Sequence, residues 1–219
     1  MTMHHPGLPE DLPSPELLWA RWAAIAVVTA NEERDNERDP DGYWLDDEGL
    51  HFNDSGASWW TLMRTDDGRA LLFGEDESGG VKWHEPPIDL FDGAPEWLPH
   101  DRLEYLLEGY ELGCVYWYED GAWARAPYPH GLRDDGLDGG IGRFTSLERA
   151  AEELDALVDS EIEFDQLTDV ISHAEQGTLT GGLLETLVAE SDWADSDPHA
   201  MAEALRRSRL DEGGGGQDF

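Results

Sequence analysis

The chain predicts an α+β protein: a central antiparallel meander sheet of about six strands, an N-terminal helix and a helical C-terminal region. Three observations predict it. Apolar residues recur at helical spacing over 17–28. Three later segments each set an acidic-glycine turn between aromatic or apolar runs. Beyond residue 143 the pattern returns to helical spacing.

Residues 1–13 are proline-rich and irregular. Ser14 can cap the helix that follows, Pro15 suits its first position and Glu16 its positive end. Leu17, Leu18, Trp22, Ile25 and Val28 or Thr29 then give it one buried face. The pattern fades in "NEERDNERDPDG" (31–42), where Pro40 stops it.

The hairpin segments are "YWLDDEGLHF" (43–52), "WWTLMRTDDGRALLF" (59–73) and "VYWYEDGAWAR" (115–125). Acidic-glycine pairs supply the positive φ of tight turns. Alternation in "WWTLMR" puts Trp59, Thr61 and Met63 on one face and Trp60, Leu62 and Arg64 on the other. Both faces carry large apolar groups, so one faces a core and the other lies under helices. Between the second and third hairpins runs "WHEPPIDLFDGAPEWLP" (83–99). Pro86 and Pro87 enforce extended backbone there, and Pro99 limits where the next helix begins. This reads as an ordered strap with Trp83 and Trp97 largely buried. "HDRLEYLLEGY" (100–110) follows as a short helix, with Leu103, Leu106 and Leu107 inward and Gly109 near its end.

The Gly- and Asp-rich stretch 131–143 is a hinge-like loop dividing an N-terminal part (1–130) from a helical region (144–210). Thr145 and Glu148 match a capping box before "LERAAEELDALV". "FDQLTDVISHAEQ" and "LTGGLLETLVAES" are further amphipathic segments. Asp197-Pro198 opens the last helix, and Arg206, Arg207 and Arg209 face its negative end. Residues 211–219 form a flexible tail.

Net charge is −36 over 219 residues. Nucleic acid, anionic membranes and polyphosphates are repelled by such a surface. The apolar run 17–28 is short of a membrane span and Arg21 interrupts it. No signal-peptide pattern opens the chain, so the expected location is the cytoplasm. Cys114 is the single cysteine, which excludes an intrachain disulfide and a zinc site with several thiolates. Lys82 is the sole lysine, a bias that suits a GC-rich genome.

Several patterns resemble sites and fall short. "ERDPDGYWLDDE" follows a calcium loop through Glu37, Asp39, Asp41, Gly42, Trp44 and Glu48. Its first ligand is Glu, Pro40 takes the fourth position, and a strand replaces the exit helix. His84-Glu85 and His100-Asp101 match no metal spacing. "GLDGGIG" lacks the Lys-Ser/Thr of a phosphate loop, and Asp134, Asp135 and Asp138 would repel phosphate. Cys114 opens an apolar strand, where cysteine behaves as a small buried hydrophobe. No nucleophile motif and no cofactor signature is present, and neither metal nor cofactor is expected.

"RALLFGEDE", "WHEPPIDLFDGAPEWLP" and "GCVYWYEDGAWAR" together resemble acidic proteins of GC-rich bacteria, over about residues 43–130. That resemblance implies no activity. In composition and architecture the chain is also similar to immunity proteins of polymorphic toxin systems, the SMI1/KNR4-like type. Those are acidic, tryptophan-bearing α+β proteins that neutralise basic toxins, and the likeness carries no site residues with it.

The expected function is binding a basic protein partner, of the kind an immunity or antitoxin-type inhibitor engages. Asp46, Asp47, Asp66, Asp67, Glu119 and Asp120 on the hairpin turns would steer encounter, with Trp60 and Trp123 as exposed anchors. Two alternatives stand beside it: a metal-dependent enzyme with a site around His84 and His100, and a DNA mimic whose carboxylates are spaced like duplex phosphates.

Overall fold

Acidic-glycine pairs turn the middle of the chain where the sequence marks them. The computed structural model describes residues 3–31, 40–158, 162–191 and 196–211. Its strands are β1 (Gly42–Leu45), β2 (Leu50–Asn53), β3 (Ser58–Arg64), β4 (Ala70–Asp76), β5 (Cys114–Glu119) and β6 (Ala122–Ala124). They form one six-stranded sheet in the order β1-β2-β3-β4-β5-β6, a meander. β3 and β4 pair antiparallel from Ser58↔Asp76 to Arg64↔Ala70. The β5–β6 turn is Asp120-Gly121, with φ of 53° and 82°, the two left-handed residues of a type I′ hairpin.

The helices are α1 (Pro15–Val28), α2 (His100–Glu108), α3 (Leu137–Ile141), α4 (Leu147–Leu157), α5 (Phe164–Glu175), α6 (Gly181–Ser191) and α7 (Pro198–Ser208). The fold is therefore α+β, as predicted. Two compact units divide it: Met1–Pro15 with His51–Gly142, and Glu16–Leu50 with Arg143–Phe219. Thus α1 groups with the C-terminal helices, where a linear division at 131–143 was expected.

In the first unit the sheet is covered on both faces. Trp59 and Met63 pack against a core of Leu71, Phe73, Leu90, Leu98, Leu103 and their neighbours. Strap and α2 supply Leu90, Leu98 and Leu103, and each leucine buried this way contributes about 2 kcal/mol of transfer free energy. On the alternate position of β3, Trp60 is fully buried. A Cβ added at Gly140 would lie 1.8 Å from the Trp60 Nε1, so α3 approaches the indole at a distance only glycine permits. The expected hinge at 131–143 is thus a packed segment, with Leu137, Gly140 and Ile141 buried.

In the second unit α1 is buried on nearly all sides from Leu18 to Val28, where one buried face was expected. Alanine and apolar residues surround its axis, the pattern of an internal helix. Trp22 stacks on Phe144 with centroids 4.7 Å apart. Buried Arg21 is paired to Glu175 at 2.6 Å and donates to the Phe144 carbonyl at 3.1 Å. Such pairing is what makes a buried cation tolerable. Ser146, one residue after the predicted cap, caps α4 by accepting from Arg149 N–H. Asp197 caps α7 as predicted, accepting from Ala200 N–H at 3.1 Å.

Candidate functional site

Two of the six hairpin-turn acids, Asp46 and Asp67, have carboxylates engaged in making the turns. Asp46 accepts from the N–H groups of Glu48 and Gly49 at 2.8 and 3.3 Å. Asp67 accepts from Arg69 Nε at 3.0 Å and from the Thr65 hydroxyl. Those hydrogen bonds, Arg69's foremost, hold the Asp67 carboxyl down at about 2. Asp66, Asp47 and Asp120 are exposed, and Glu119 is half-buried. Asp46 and Asp47 belong to the second unit, the other four acids to the first.

Neither tryptophan expected beside them is at the surface. Trp60 is fully buried, with its indole N–H donating to Ser58 Oγ at 2.9 Å. Trp123 is 8% exposed and donates to the Pro13 carbonyl at 2.7 Å. Both rings serve the core, because inward alternation and covering segments claim them.

The three most exposed aromatic residues lie elsewhere in the first unit, and here the expectation for the strap is corrected. Trp83 is 71% exposed, Tyr105 75% and Tyr110 66%. Trp97 alone of the two strap tryptophans is partly covered, with the Arg69 guanidinium 4.8 Å from its ring centroid. The strap is ordered as predicted, but its leucines and not Trp83 anchor it. Trp83 lies parallel to Tyr110, with centroids 6.4 Å apart and planes 16° from parallel.

The end of α2 positions Tyr110. Gly109 caps the helix with right-handed φ of −75°, and Tyr110 takes the left-handed position at φ 59°. Tyr110 N–H reaches the Leu107 carbonyl at 3.1 Å, and Glu111 N–H reaches Leu106 at 2.9 Å. These two bonds make a Schellman closure, with tyrosine where glycine is usual. Gly109 ends the helix as the sequence predicts, and the left-handed residue follows it at Tyr110.

The stretch that carries these rings is strongly acidic. Residues 81–111 contain eight acids, all exposed: Glu85, Asp89, Asp92, Glu96, Asp101, Glu104, Glu108 and Glu111. Their two bases are engaged: Lys82 pairs with Glu75 at 2.6 Å, and Arg102 stands 5.4 Å from the Phe73 centroid.

His84 and His100 do not converge on a metal. His84 Nδ1 donates to the Pro86 carbonyl at 2.8 Å, and His100 Nε2 to Pro95 at 3.2 Å. Carbonyl oxygens only accept, so those nitrogens carry protons. No cluster of three or more His, Cys, Asp or Glu able to hold a metal occurs among the described residues. Glu37 and Asp39 of the calcium-like stretch lie outside the described residues, and β2 follows Glu48 where an exit helix would be needed.

A second constellation, unseen in the sequence, is buried under the N-terminal segment. Asp135 is 1% exposed. Its Oδ1 accepts from Gly7 N–H at 2.9 Å, and its Oδ2 lies 2.9 Å from the Tyr116 hydroxyl and 3.6 Å from the Cys114 thiol. Arg125 Nε donates to the Gly7 carbonyl at 3.0 Å. Burial, then the Asp135 charge, pushes the Cys114 thiol well up. That disfavours the thiolate, and the network ties Gly7 to Tyr116 of β5 through Asp135. Nothing in "GLRDDGLDGG" distinguishes Asp135 from Asp134 or Asp138, and only packing reveals its role.

In the second unit a cleft of about 140 Å³ is lined by Val170, Leu179, Leu183 and Leu187 together with Gln166, Asp169, His173 and Thr186. Small-molecule sites run to about 300 Å³ or more, so it is undersized for one. No helix among the described residues is long and apolar enough to cross a membrane.

Comparison of the chain with protein-family models, with curated proteins and with solved structures yields no match in any of the three. The functional reading therefore stands on the site's own geometry.

Proposed function

We propose that this chain is a non-catalytic acidic protein that binds a basic protein partner, acting as an immunity or antitoxin-type inhibitor in the cytoplasm. One observation carries the reading: Trp83, Tyr105 and Tyr110 stand exposed in a stretch, residues 81–111, whose eight acids all face solvent. Exposed aromatic rings supply affinity in interface centres, and a surrounding field of one sign steers a partner of the other. The hairpin acids Asp66 and Asp120 and the net charge of −36 extend that field. Buried Trp60 and Trp123 act behind it as scaffold.

The test is capture and reconstitution. The purified chain is immobilised and challenged with extract of its own cells at about 0.1 M salt, where exposed charges more than about 10 Å apart are already screened. A captured protein is then purified and titrated back. The reading requires a 1:1 complex with an Arg- and Lys-rich protein whose affinity falls as salt rises. Retention of no basic protein, or of one whose binding ignores salt, overturns it.

A further inference from the structure

We propose that the Trp83–Tyr110 pair, with Tyr105 in the last turn of α2, is a receptor for an arginine side chain on an extended basic segment of the partner. This rests on the binding reading above and narrows it to one face and one chemical group.

Ring geometry makes the first argument. Trp83 and Tyr110 lie nearly parallel and are each about two-thirds exposed or more, at 71% and 66%. Indole offers the strongest side-chain surface for a cation. Lys82 Nζ already stands 5.8 Å from the Trp83 centroid, but it is held by Glu75 at 2.6 Å and reaches inward. Lys82 therefore leaves most of the ring area open.

Backbone conformation makes the second. Tyr110 occupies a left-handed position, at φ 59°, that glycine fills without strain. A ring retained there for packing would be buried, yet this one is exposed. Strain held at an exposed aromatic residue points to a ligand.

Charge complementarity selects the occupant. The eight acids of 81–111 exclude phosphate-bearing nucleic acid, which would otherwise suit stacked rings. They favour a cation instead. A guanidinium is planar and weakly hydrated, so it stacks on a ring while its edge donates to carboxylates such as Glu108 or Glu111. A lysine ammonium is compact and strongly hydrated and gains less from the same rings.

Calorimetric titration of the full chain with capped hexa-arginine and hexa-lysine peptides, at about 0.1 M salt, tests this. The expected result is single-site binding with hexa-arginine several-fold tighter. Trp83→Ala weakens hexa-arginine about tenfold, whereas Trp83→Phe, which keeps a ring, retains most of the affinity. Circular dichroism and melting of both variants should match the parent, since the side chain is exposed. Equal affinity for the two peptides, untouched by Trp83→Ala, overturns the arginine receptor and leaves the basic-partner reading on its acids alone. Absence of any binding to hexa-arginine overturns the receptor too, and the capture experiment above then decides the wider reading separately.

Discussion

Gly140 lies against the Trp60 indole so closely that an added methyl would fall 1.8 Å from Nε1 and 2.3 Å from Cε2. Trp60 cannot yield, being fully buried and hydrogen-bonded to Ser58. Gly140→Ala must therefore push α3 off the sheet or rotate the indole out of its site. Overpacking of this kind costs about 1–3 kcal/mol. Thermal melting should fall by roughly 2–4 °C for each kcal/mol lost in a chain of this size. An unchanged melting temperature would show that α3 is not docked as described.

The Asp135 network gives a second prediction. Asp135→Ala leaves the Gly7 N–H short of an acceptor in a buried setting, while the Tyr116 hydroxyl keeps the Gly7 carbonyl at 2.8 Å. Each buried donor left unpaired costs about 1–3 kcal/mol. The N-terminal segment should then loosen, and Cys114, the only thiol, should become reactive. A thiol reagent should modify the native parent slowly and the variant fast. Equal rates would mean that Asp135 does not close the segment over Cys114.

Asp67 supplies a pH prediction. Its carboxyl is lowered from 3.8 to about 2 by the Arg69 and Thr65 hydrogen bonds. A carboxyl lowered on folding adds stability above its unfolded pKa, and this is lost as pH falls through the folded value. The window therefore lies between about 4 and 2. Because the pair is on the surface, solvent screening keeps its contribution small. Following the Asp67 carboxyl carbon by NMR should give a midpoint near 2, moving up toward 3.8 in Arg69→Gln. No movement would remove Arg69 as the cause.

Tyr110 separates stability from binding. Tyr110→Gly relieves left-handed strain of about 1–2 kcal/mol, offset in part by the greater freedom of glycine in the unfolded chain. The net expectation is a variant as stable as the parent or more so, by up to about 1 kcal/mol. Denaturant unfolding measures this. The same variant should bind a basic partner more weakly, because half of the Trp83 pair is gone. A variant that is less stable would mean that the Tyr110 ring serves the fold.

Much of the architecture was legible because its signals are local. Asp-Gly at 67–68 and 120–121 and the Glu-Gly at 48–49 place three hairpins, and Asp197-Pro198 and Pro99 place two helix starts. Alternation in β3 correctly sends Trp59 and Trp60 to opposite faces. The candidate site was not legible. Ten tryptophans share similar surroundings in sequence, and exposure of Trp83 against burial of Trp60 and Trp123 depends on which segments cover them. The same holds for 131–143, whose glycines read as looseness, although Gly140 serves close approach to Trp60 and Gly136 and Gly139 to Asp76. For α1, helical spacing named one face, while cover on every side is a property of the whole fold.

The central claim is that a basic partner engages the face formed by the strap and α2. Hydrogen exchange of backbone amides, compared with and without the captured partner, tests it most directly. The account predicts new protection confined chiefly to residues 81–86 and 104–111, around Trp83, Tyr105 and Tyr110. Protection centred elsewhere, with those residues exchanging as in the free chain, would contradict it.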